Sequence, residues 1–366
     1  MRMKSLATVV VLASAFAGCG GEEPPPPQPP PPPPVAPPPP PATAETPPPP
    51  PPKPTIAELV PVTLKNVTDA FNAHDAQKFA ANYTADGVDT DYGAPEAHGR
   101  DEIAKAVQSL FDVSGDVKGG AAHLWSKGNV VAVDWVFAGT MTGDFMGTKA
   151  SKKPIGSHRL VITLLSDDGL MTQAHVYSDL PGLLAQMKGA KDAPAVPTVP
   201  ATTEFHYGKN SPDEDKLVDW FKADNDVFNK DDAKAVSGLF APDGDVTFFF
   251  AGGKVLKAGK ELDKFHGDFL KAIPKAQFSI LNAWGIDGFV VTERTISGTQ
   301  KGRLGPLPAS NKDVTMHVGE VFLPTADGKI SHAWAFGNMG ELAPPPVVKA
   351  APAPKAAPAP KAAPKM

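Results

Sequence analysis

Cysteine is almost absent from this chain of 366 residues, since Cys19 is its one cysteine. A disulfide framework and a thiolate zinc site are therefore excluded. The sequence also lacks a His-Glu-x-x-His motif, a phosphate-binding loop and a Gly-x-Ser-x-Gly elbow. Its nine histidines are dispersed, so we expect no metal site and no cofactor. The apolar run from Leu6 to Phe16 is too short to span a bilayer.

Proline and charge are unevenly distributed. Of the 43 prolines, 22 lie in residues 24–54. The formal net charge is −5, but residues 55–343 alone carry −9. A folded region this acidic argues against nucleic acid as a partner. The chain is therefore expected to contain ordered blocks joined and flanked by disordered segments.

The N-terminus has the layout of a bacterial secretory signal. Arg2 and Lys4 precede the apolar run, and Phe16-Ala17-Gly18-Cys19 resembles a lipobox. By that resemblance Cys19 is lipidated and holds the protein to a membrane; an ordinary cleaved signal with a stray cysteine is the alternative. Gly20 follows, where inner-membrane lipoproteins often carry Asp. We therefore expect a lipid-anchored protein of the bacterial cell envelope, at the outer membrane and facing the periplasm or the surface.

Two low-complexity segments flank the ordered blocks. Residues 20–54 predict a Pro-rich disordered spacer that is polyproline II over residues 24–54, with a ligand for a proline-binding domain as the alternative. Residues 344–366 repeat Ala, Pro and Lys without an acid, which predicts an extended cationic tail.

The ordered part is an internal repeat. A shift of 159 residues pairs Trp125 with Trp284 and His158 with His317, with no gap from Trp125 to Leu183. The repeat predicts two copies of one domain, residues 55–192 (domain 1) and 211–343 (domain 2), joined by a linker at 193–210.

Each copy begins with helix signals and continues with strand signals. Thr55 and Ser211 each start a capping box. The later strand-like segments of domain 1 are 121–126, 129–142, 154–166 and 170–178. Helices followed by an antiparallel sheet predict an α+β layer fold. Asp86-Gly87 is interpreted as a turn, and the equivalent Asp134 and Glu293 are expected on the solvated side of a strand.

Several motifs together resemble the SnoaL-like polyketide cyclase branch of the nuclear transport factor 2-like superfamily. They are Phe71-Asn72-Ala73-His74-Asp75, Tyr83-Thr84-Ala85-Asp86-Gly87, Gly139-Thr140-Met141-Thr142-Gly143, Asp168-Gly169 and Tyr177-Ser178-Asp179-Leu180-Pro181-Gly182-Leu183-Leu184-Ala185-Gln186. The resemblance implies a curved, cone-shaped antiparallel sheet around helices in each copy, with a pocket between them. Functions in this superfamily include cyclases, isomerases, ligand carriers and dimerisation modules.

The last strand of domain 1 supplies the candidate site. Strand alternation places Gln173, His175, Tyr177 and Asp179 on one face, expected to line the pocket. The resemblance implies that Asp179 is the acid/base, and His158 on the neighbouring strand is expected to orient it or to polarise the substrate. A strand-end Asp that caps the following turn is the alternative for Asp179.

The equivalent face of domain 2 is more aromatic. Asn338 stands in the place of Asp179, and an amide cannot exchange a proton at neutral pH. The residues expected to hold a ligand there, with a plain aromatic core as the alternative, are His317, His332, Trp334, Phe336 and Asn338.

Three functions remain open. The first is a module that binds a small apolar molecule. The second is a cyclase or isomerase that works through Asp179, with domain 2 as a degenerate partner. The third is an interaction module in which the two copies pack sheet to sheet as an intramolecular pseudo-dimer.

Overall fold

The computed structural model describes residues 53–304 and 307–342. The predicted signal, Cys19, the predicted spacer up to Pro52 and the predicted C-terminal tail lie outside the described residues. Within the described ranges, no helix combines the length and the hydropathy that a membrane crossing requires.

Domain 1 consists of four helices and a mixed sheet. Its helices are α1 (Ile56–Asn72), α2 (Ala76–Ala80), α3 (Gly99–Val113) and α4 (Leu180–Lys188). Its strands are β1 (Tyr83–Asp91), β2 (Ala97–His98), β3 (Lys118–Lys127), β4 (Val130–Thr140), β5 (Pro154–Leu165) and β6 (Met171–Ser178). The capping box forms, since the Glu58 carboxylate accepts the backbone N–H of Thr55 at 2.7 Å.

The linker contributes a further strand to this sheet. β7 (Glu204–Tyr207) pairs in parallel with β3, with His123 opposite Glu204 and Trp125 opposite His206. The strand order is β2-β1-β6-β5-β4-β3-β7. β3 to β6 are antiparallel, while the β1–β6 and β3–β7 pairs are parallel.

Domain 2 repeats the arrangement. Its helices are α5 (Pro212–Phe228), α6 (Ala233–Ser237) and α7 (Lys260–Ala272). Its strands are β8 (Phe240–Phe248), β9 (Lys254–Lys257), β10 (Gln277–Ile286), β11 (Phe289–Thr299), β12 (Asp313–Pro324) and β13 (Ile330–Gly337), in the order β10-β11-β12-β13-β8-β9. Val136 lies opposite His158 in domain 1, and Thr295 lies opposite His317 in domain 2. The strand registers thus repeat at the 159-residue shift, and the predicted α+β fold in two tandem copies is confirmed.

Both faces of each sheet are covered. The inner face packs on the helices of its own domain, for example around Phe71 and Val133 in domain 1. The outer faces of the two sheets pack on each other in one cluster that contains Leu160, Tyr177 and Phe336. Strand β4 is consequently buried on both sides from Val130 to Phe137.

Asp134 and Glu293 lie in the interface between the two sheets rather than in solvent. Asp134 is 3% exposed and Glu293 is 2% exposed. The expectation that they mark a solvated strand face was therefore wrong, because a second sheet covers that face. Asp86-Gly87 is not a free turn either: it lies within β1, where the pairing with β6 shifts register between Tyr83 and Val88.

Candidate functional site

Domain 1 contains a cavity of about 700 Å³ between its sheet and its helices. Most of its wall is apolar, with Leu64 and Val67 from α1, Val107 from α3, and Val133 and Val161 from the sheet. A volume of this size suits a small organic molecule. The cavity lies where the family resemblance implies a pocket.

The polar end of the cavity begins at Asp89 on β1. The Tyr83 hydroxyl donates to Asp89 Oδ2 at 2.5 Å. Burial raises the pKa of Asp89 to about 6, and the negative charge of Asp91 adds to the rise, while the Tyr83 hydrogen bond and Arg159 oppose it. Near neutral pH this carboxyl can therefore be found in either protonation state.

Arg159 on β5 faces the same space. Its Nη1 is 3.9 Å from Asp91 Oδ2, and its guanidinium lies over the ring of Phe137 at 4.5 Å. Ser178 Oγ donates to Asp91 Oδ1 at 3.0 Å. Arg159 Nε is buried and has no hydrogen-bond partner among the described residues. An unpaired buried donor of this kind is costly unless a ligand or water accepts from it.

Asp179 also lines this cavity. It caps α4, because its Oδ1 accepts the backbone N–H of Gly182 at 2.9 Å. Burial raises the pKa of Asp179 to about 6, against the backbone N–H groups of Gly182 and Gly252. The carboxyl therefore has the capping role considered as the alternative and the cavity position expected of an acid/base.

His158 does not join Asp179. It lies on the opposite face of β5, where its Nδ1 is 2.9 Å from Asp134 Oδ1 and its ring stacks on Phe249 of domain 2 at 4.2 Å. This placement corrects the expectation that His158 orients Asp179. His158 belongs to the interface between the two sheets.

Gln173, His175 and Tyr177 turn away from the cavity as well. Gln173 Nε2 is 2.6 Å from His175 Nε2, and His175 Nδ1 is 2.6 Å from Glu293 Oε1. The Tyr177 hydroxyl donates to the same Glu293 oxygen at 2.8 Å, and Asn282 donates to Oε2 at 2.7 Å. The expected pocket face of β6 is thus an interdomain face, because Val176 and Ser178 point into the cavity instead.

This cluster shifts the pKa values of its members. The hydrogen bond that His175 donates to Glu293 raises the pKa of His175, although burial opposes the rise. Burial works to raise the pKa of Glu293, but the bonds from His175, Tyr177 and Asn282 hold it below its usual value. Burial and the Glu293 charge raise the pKa of Tyr177 far above its usual value. The net shifts of His175 and Glu293 favour their charged forms, and the two side chains meet across the two domains at 2.6 Å.

The five candidate residues of domain 2 lie on the same outer face. His317 stacks on Tyr92 at 4.1 Å, and Asn338 Nδ2 donates to the Tyr92 carbonyl at 2.8 Å. Trp334 faces Trp125 with 6.3 Å between ring centroids, and the ring of His332 meets Trp334 edge-on at 4.2 Å. Phe336 belongs to the buried cluster shared by both sheets. His317, Trp334, Phe336 and Asn338 thus lie at the interface with domain 1, whereas His332 pairs with Asp245 of its own domain.

The interior of domain 2 contains an ion pair, Arg294–Glu320, at the positions whose equivalents in domain 1 form part of the cavity wall. Arg294 donates to the two oxygens of Glu320 at 2.6 and 2.7 Å and to Asn225 at 3.0 Å. The strand registers make Arg294 the equivalent of Trp135 and Glu320 the equivalent of Val161, both of which line the cavity of domain 1. Four phenylalanine rings surround the guanidinium, namely Phe221, Phe228, Phe278 and Phe322.

Sequence reasoning missed Tyr83, Asp89 and Arg159 as cavity residues. Asp89 and Asp91 alternate with Thr90, a pattern that places both carboxylates on one strand face. That signal was hidden because Asp86-Gly87 was interpreted as a turn, so β1 itself was not predicted.

The family assignment rests on a profile match. The profile of the SnoaL-like polyketide cyclase family matches residues 62–187 and 219–343, one match in each domain. A search of curated protein sequences finds no match.

Solved structures resemble this chain at low identity. IdmH from Streptomyces antibioticus is 22% identical to this chain. The match covers 35% of this chain and 97% of IdmH, with a TM-score of 0.32. TsrD from Streptomyces laurentii is 20% identical, with coverages of 35% and 94% and a TM-score of 0.32. A protein of ketosteroid isomerase-like fold from Catenulispora acidiphila is 17% identical, with coverages of 35% and 93% and a TM-score of 0.31. The profile matches extend over both domains and most of the chain, which therefore belongs to the SnoaL-like polyketide cyclase family.

Proposed function

We propose that domain 1 binds one small, mostly apolar molecule in its cavity. The observation that carries the proposal is the cavity itself, about 700 Å³ with an apolar wall and one polar end. An apolar wall supplies affinity by burying the apolar surface of a ligand, and a few convergent polar groups fix the orientation of that ligand.

The polar end indicates the head group of this molecule. Arg159 Nε lacks a partner among the described residues, so it favours an acceptor such as a carbonyl or a carboxylate. Asp89, with its raised pKa, can donate as a neutral acid to the same kind of group. The ligand class is therefore an apolar body with one hydrogen-bond-accepting head.

An acid–base enzyme is the second candidate function. The observation that favours it is that Asp89 and Asp179 line one cavity and both have a pKa raised to about 6 by burial. Such carboxyls suit proton transfer beside a carbonyl near neutral pH. In this version Asp179 is the acid/base, as the family resemblance implies, and domain 2 is a non-catalytic partner.

Mass spectrometry under native and denaturing conditions tests the binding function without a guess about the ligand. The full chain is secreted from a bacterial host, and a mass excess that disappears on denaturation is expected. Val107→Trp should remove the excess because it fills the cavity, whereas Val62→Trp adds the same ring at a position that is 50% exposed. A bare polypeptide mass would contradict a carrier role.

Asp89→Asn and Asp179→Asn separate the two candidate functions. Both substitutions keep the size of the side chain but remove the exchangeable carboxyl proton. A carrier should retain its ligand in these variants. An enzyme should lose turnover of that compound while the mass excess persists.

We further propose that the two domains act as an intramolecular pseudo-dimer held at the cell envelope by a lipid on Cys19. The packing of the two sheets supports the first part, and the lipobox-like sequence supports the second. A chain ending at residue 210 should self-associate, because it exposes the apolar face around Leu160 and Tyr177. A stable monomer of that chain would contradict the pseudo-dimer, and a mature chain without an acyl mass at Cys19 would contradict the anchor.

A further inference from the structure

Three potential metal ligands meet where strand β7 lies along β3. His123, Glu204 and His206 each offer one ligand atom, and these atoms all lie within 4.8 Å of one another. The strand pairing creates the cluster, since His123 is directly opposite Glu204 and His206 lies two residues further along β7. We propose that His123, Glu204 and His206 bind one Zn²⁺ ion.

Two buried nitrogens in the cluster lack hydrogen bonds. His123 Nδ1 and His206 Nε2 are shielded from solvent and have no hydrogen-bond partner among the described residues. The side chain of His206 is only 8% exposed. Buried polar atoms are nearly always paired in native proteins, so two unpaired atoms in one cluster of potential ligands indicate a missing ligand. A metal ion would satisfy both nitrogens at once.

The three ligand atoms lie within 4.8 Å of one another, so side-chain rotations must bring them closer before one Zn²⁺ ion can bind all three. Glu204 Oε2 is 3.5 Å from His123 Nδ1, and Glu204 Oε1 is 3.7 Å from His206 Nε2. Tetrahedral zinc with bonds of about 2.0–2.1 Å places neighbouring ligand atoms roughly 3.3–3.5 Å apart. Two imidazoles and a carboxylate are also a donor set that favours zinc over magnesium or calcium.

A carboxylate lies near the second nitrogen of one of the ligands. His206 Nδ1, the nitrogen that would not bind the metal, lies 3.8 Å from Asp287 Oδ2. A carboxylate near the second nitrogen of a ligand histidine is the usual outer partner in zinc sites. Trp125 stacks on His206 at 5.5 Å and Phe289 packs against it at 4.6 Å, so the protein side of the cluster is apolar.

The solvent side of the cluster remains accessible. The Glu204 side chain is 64% exposed, which leaves a route for the ion and a fourth position for water. The bound ion would fasten β7, in the segment between the two domains, to the edge strand of domain 1. The site is distinct from the cavity proposed to bind the apolar ligand, because neither His123 nor His206 lines that cavity.

Calorimetric titration of the chelator-treated full chain with ZnCl₂ tests the proposal. One Zn²⁺ per chain is expected, and Glu204→Gln and His123→Gln should each weaken its affinity by more than about 100-fold, beyond the 10–100-fold effect of an outer-sphere change. Asp287→Asn should weaken it by about 10-fold. Co²⁺ in place of Zn²⁺ should give the visible absorption of a tetrahedral site in the wild type, and this absorption should be lost in Glu204→Gln and His123→Gln.

His98→Gln is the matched control, since His98 is an exposed histidine whose Nε2 is 2.9 Å from Glu96. Its affinity for Zn²⁺ should equal that of the wild type. Circular dichroism of the metal-free variants checks that each is folded, and the exposed position of Glu204 makes Glu204→Gln the safest of them. Absence of zinc binding, or binding that survives both Glu204→Gln and His123→Gln, would overturn the proposal.

Discussion

The ring of Tyr92 in domain 1 lies flat on the imidazole of His317 in domain 2, with 4.1 Å between centroids and 9° between planes. Phe249 of domain 2 stacks in the same way on His158 of domain 1, at 4.2 Å. The strand registers make Tyr92 equivalent to Phe249 and His158 equivalent to His317. The two contacts are therefore reciprocal, as in the isologous interface of a two-fold dimer.

Truncation of Phe249 should destabilise the whole chain. We expect Phe249→Ala to lower the free energy of unfolding by about 2–3 kcal/mol, below the ~3–5 kcal/mol of a fully buried phenylalanine because this ring is only partly buried. Phe205→Ala removes the same ring from a position that is 38% exposed, and should cost less than about 1 kcal/mol. Urea unfolding measures both changes. Equal losses in the two variants would argue against a stabilising role for the interdomain stack.

The His175–Glu293 pair should make stability depend on pH. The pKa of His175 is raised above 6.5, so its contribution is complete below pH 6.5 and is lost as the pH rises through the folded value. The pKa of Glu293 is lowered below 4.5, so its contribution is present above pH 4.5 and is lost in acid. The pair therefore stabilises the fold most between these two values.

His175→Gln isolates this effect, because the other titrating groups stay in place. The difference in unfolding free energy between wild type and variant should be larger at pH 5.5 than at pH 9 in urea unfolding experiments. His98→Gln, which changes an exposed histidine outside the interface, should show no such trend. A difference between wild type and His175→Gln that grows above pH 7 would contradict the predicted sign.

The repeat and the helix starts could be predicted because they depend on local sequence. The predicted capping boxes at Thr55 and Ser211 are both present in the structure. The strand face that lines the cavity could not be predicted in this way. β6 is covered on both sides, by helices and by the other sheet, so polarity does not distinguish the side that carries His175 from the side that carries Ser178.

Strand β1 shows a second limit of sequence reasoning. Asp86-Gly87 has the composition of a turn, but the tertiary pairing of β1 with β6 accommodates it as an irregularity within the strand. Contacts between segments far apart in sequence decide this outcome. The cluster of His123, Glu204 and His206 has the same origin, since it depends on the pairing of β7 with β3.

The hydrogen bond from Tyr83 should keep the pKa of Asp89 below the value that burial alone would give. Burial raises that pKa to about 6, and the Tyr83 hydroxyl lowers it by stabilising the carboxylate. Tyr83→Phe should therefore move the pKa of Asp89 above 6. A carbon-13 NMR titration of labelled aspartate carboxyls measures the shift, with Asp89→Asn to assign the signal and Tyr207→Phe as a control outside the cavity. An unchanged or lower pKa in Tyr83→Phe would contradict the proposed role of this hydrogen bond.

The contribution of the Arg294–Glu320 pair to stability can be tested by replacing it with the residues at the equivalent positions of domain 1. Arg294 is 1% exposed, so Glu320→Val leaves a buried guanidinium without its carboxylate and should cost about 3–5 kcal/mol of unfolding free energy. Arg294→Trp combined with Glu320→Val installs the pair that domain 1 carries as Trp135 and Val161. The attraction within a buried ion pair only slightly exceeds the free-energy cost of removing both charges from water. The unfolding free energy of the double variant should therefore lie within about 1 kcal/mol of the wild-type value. Urea unfolding of the full chain compares them, and a double variant as unstable as Glu320→Val would show that the ion pair itself is required.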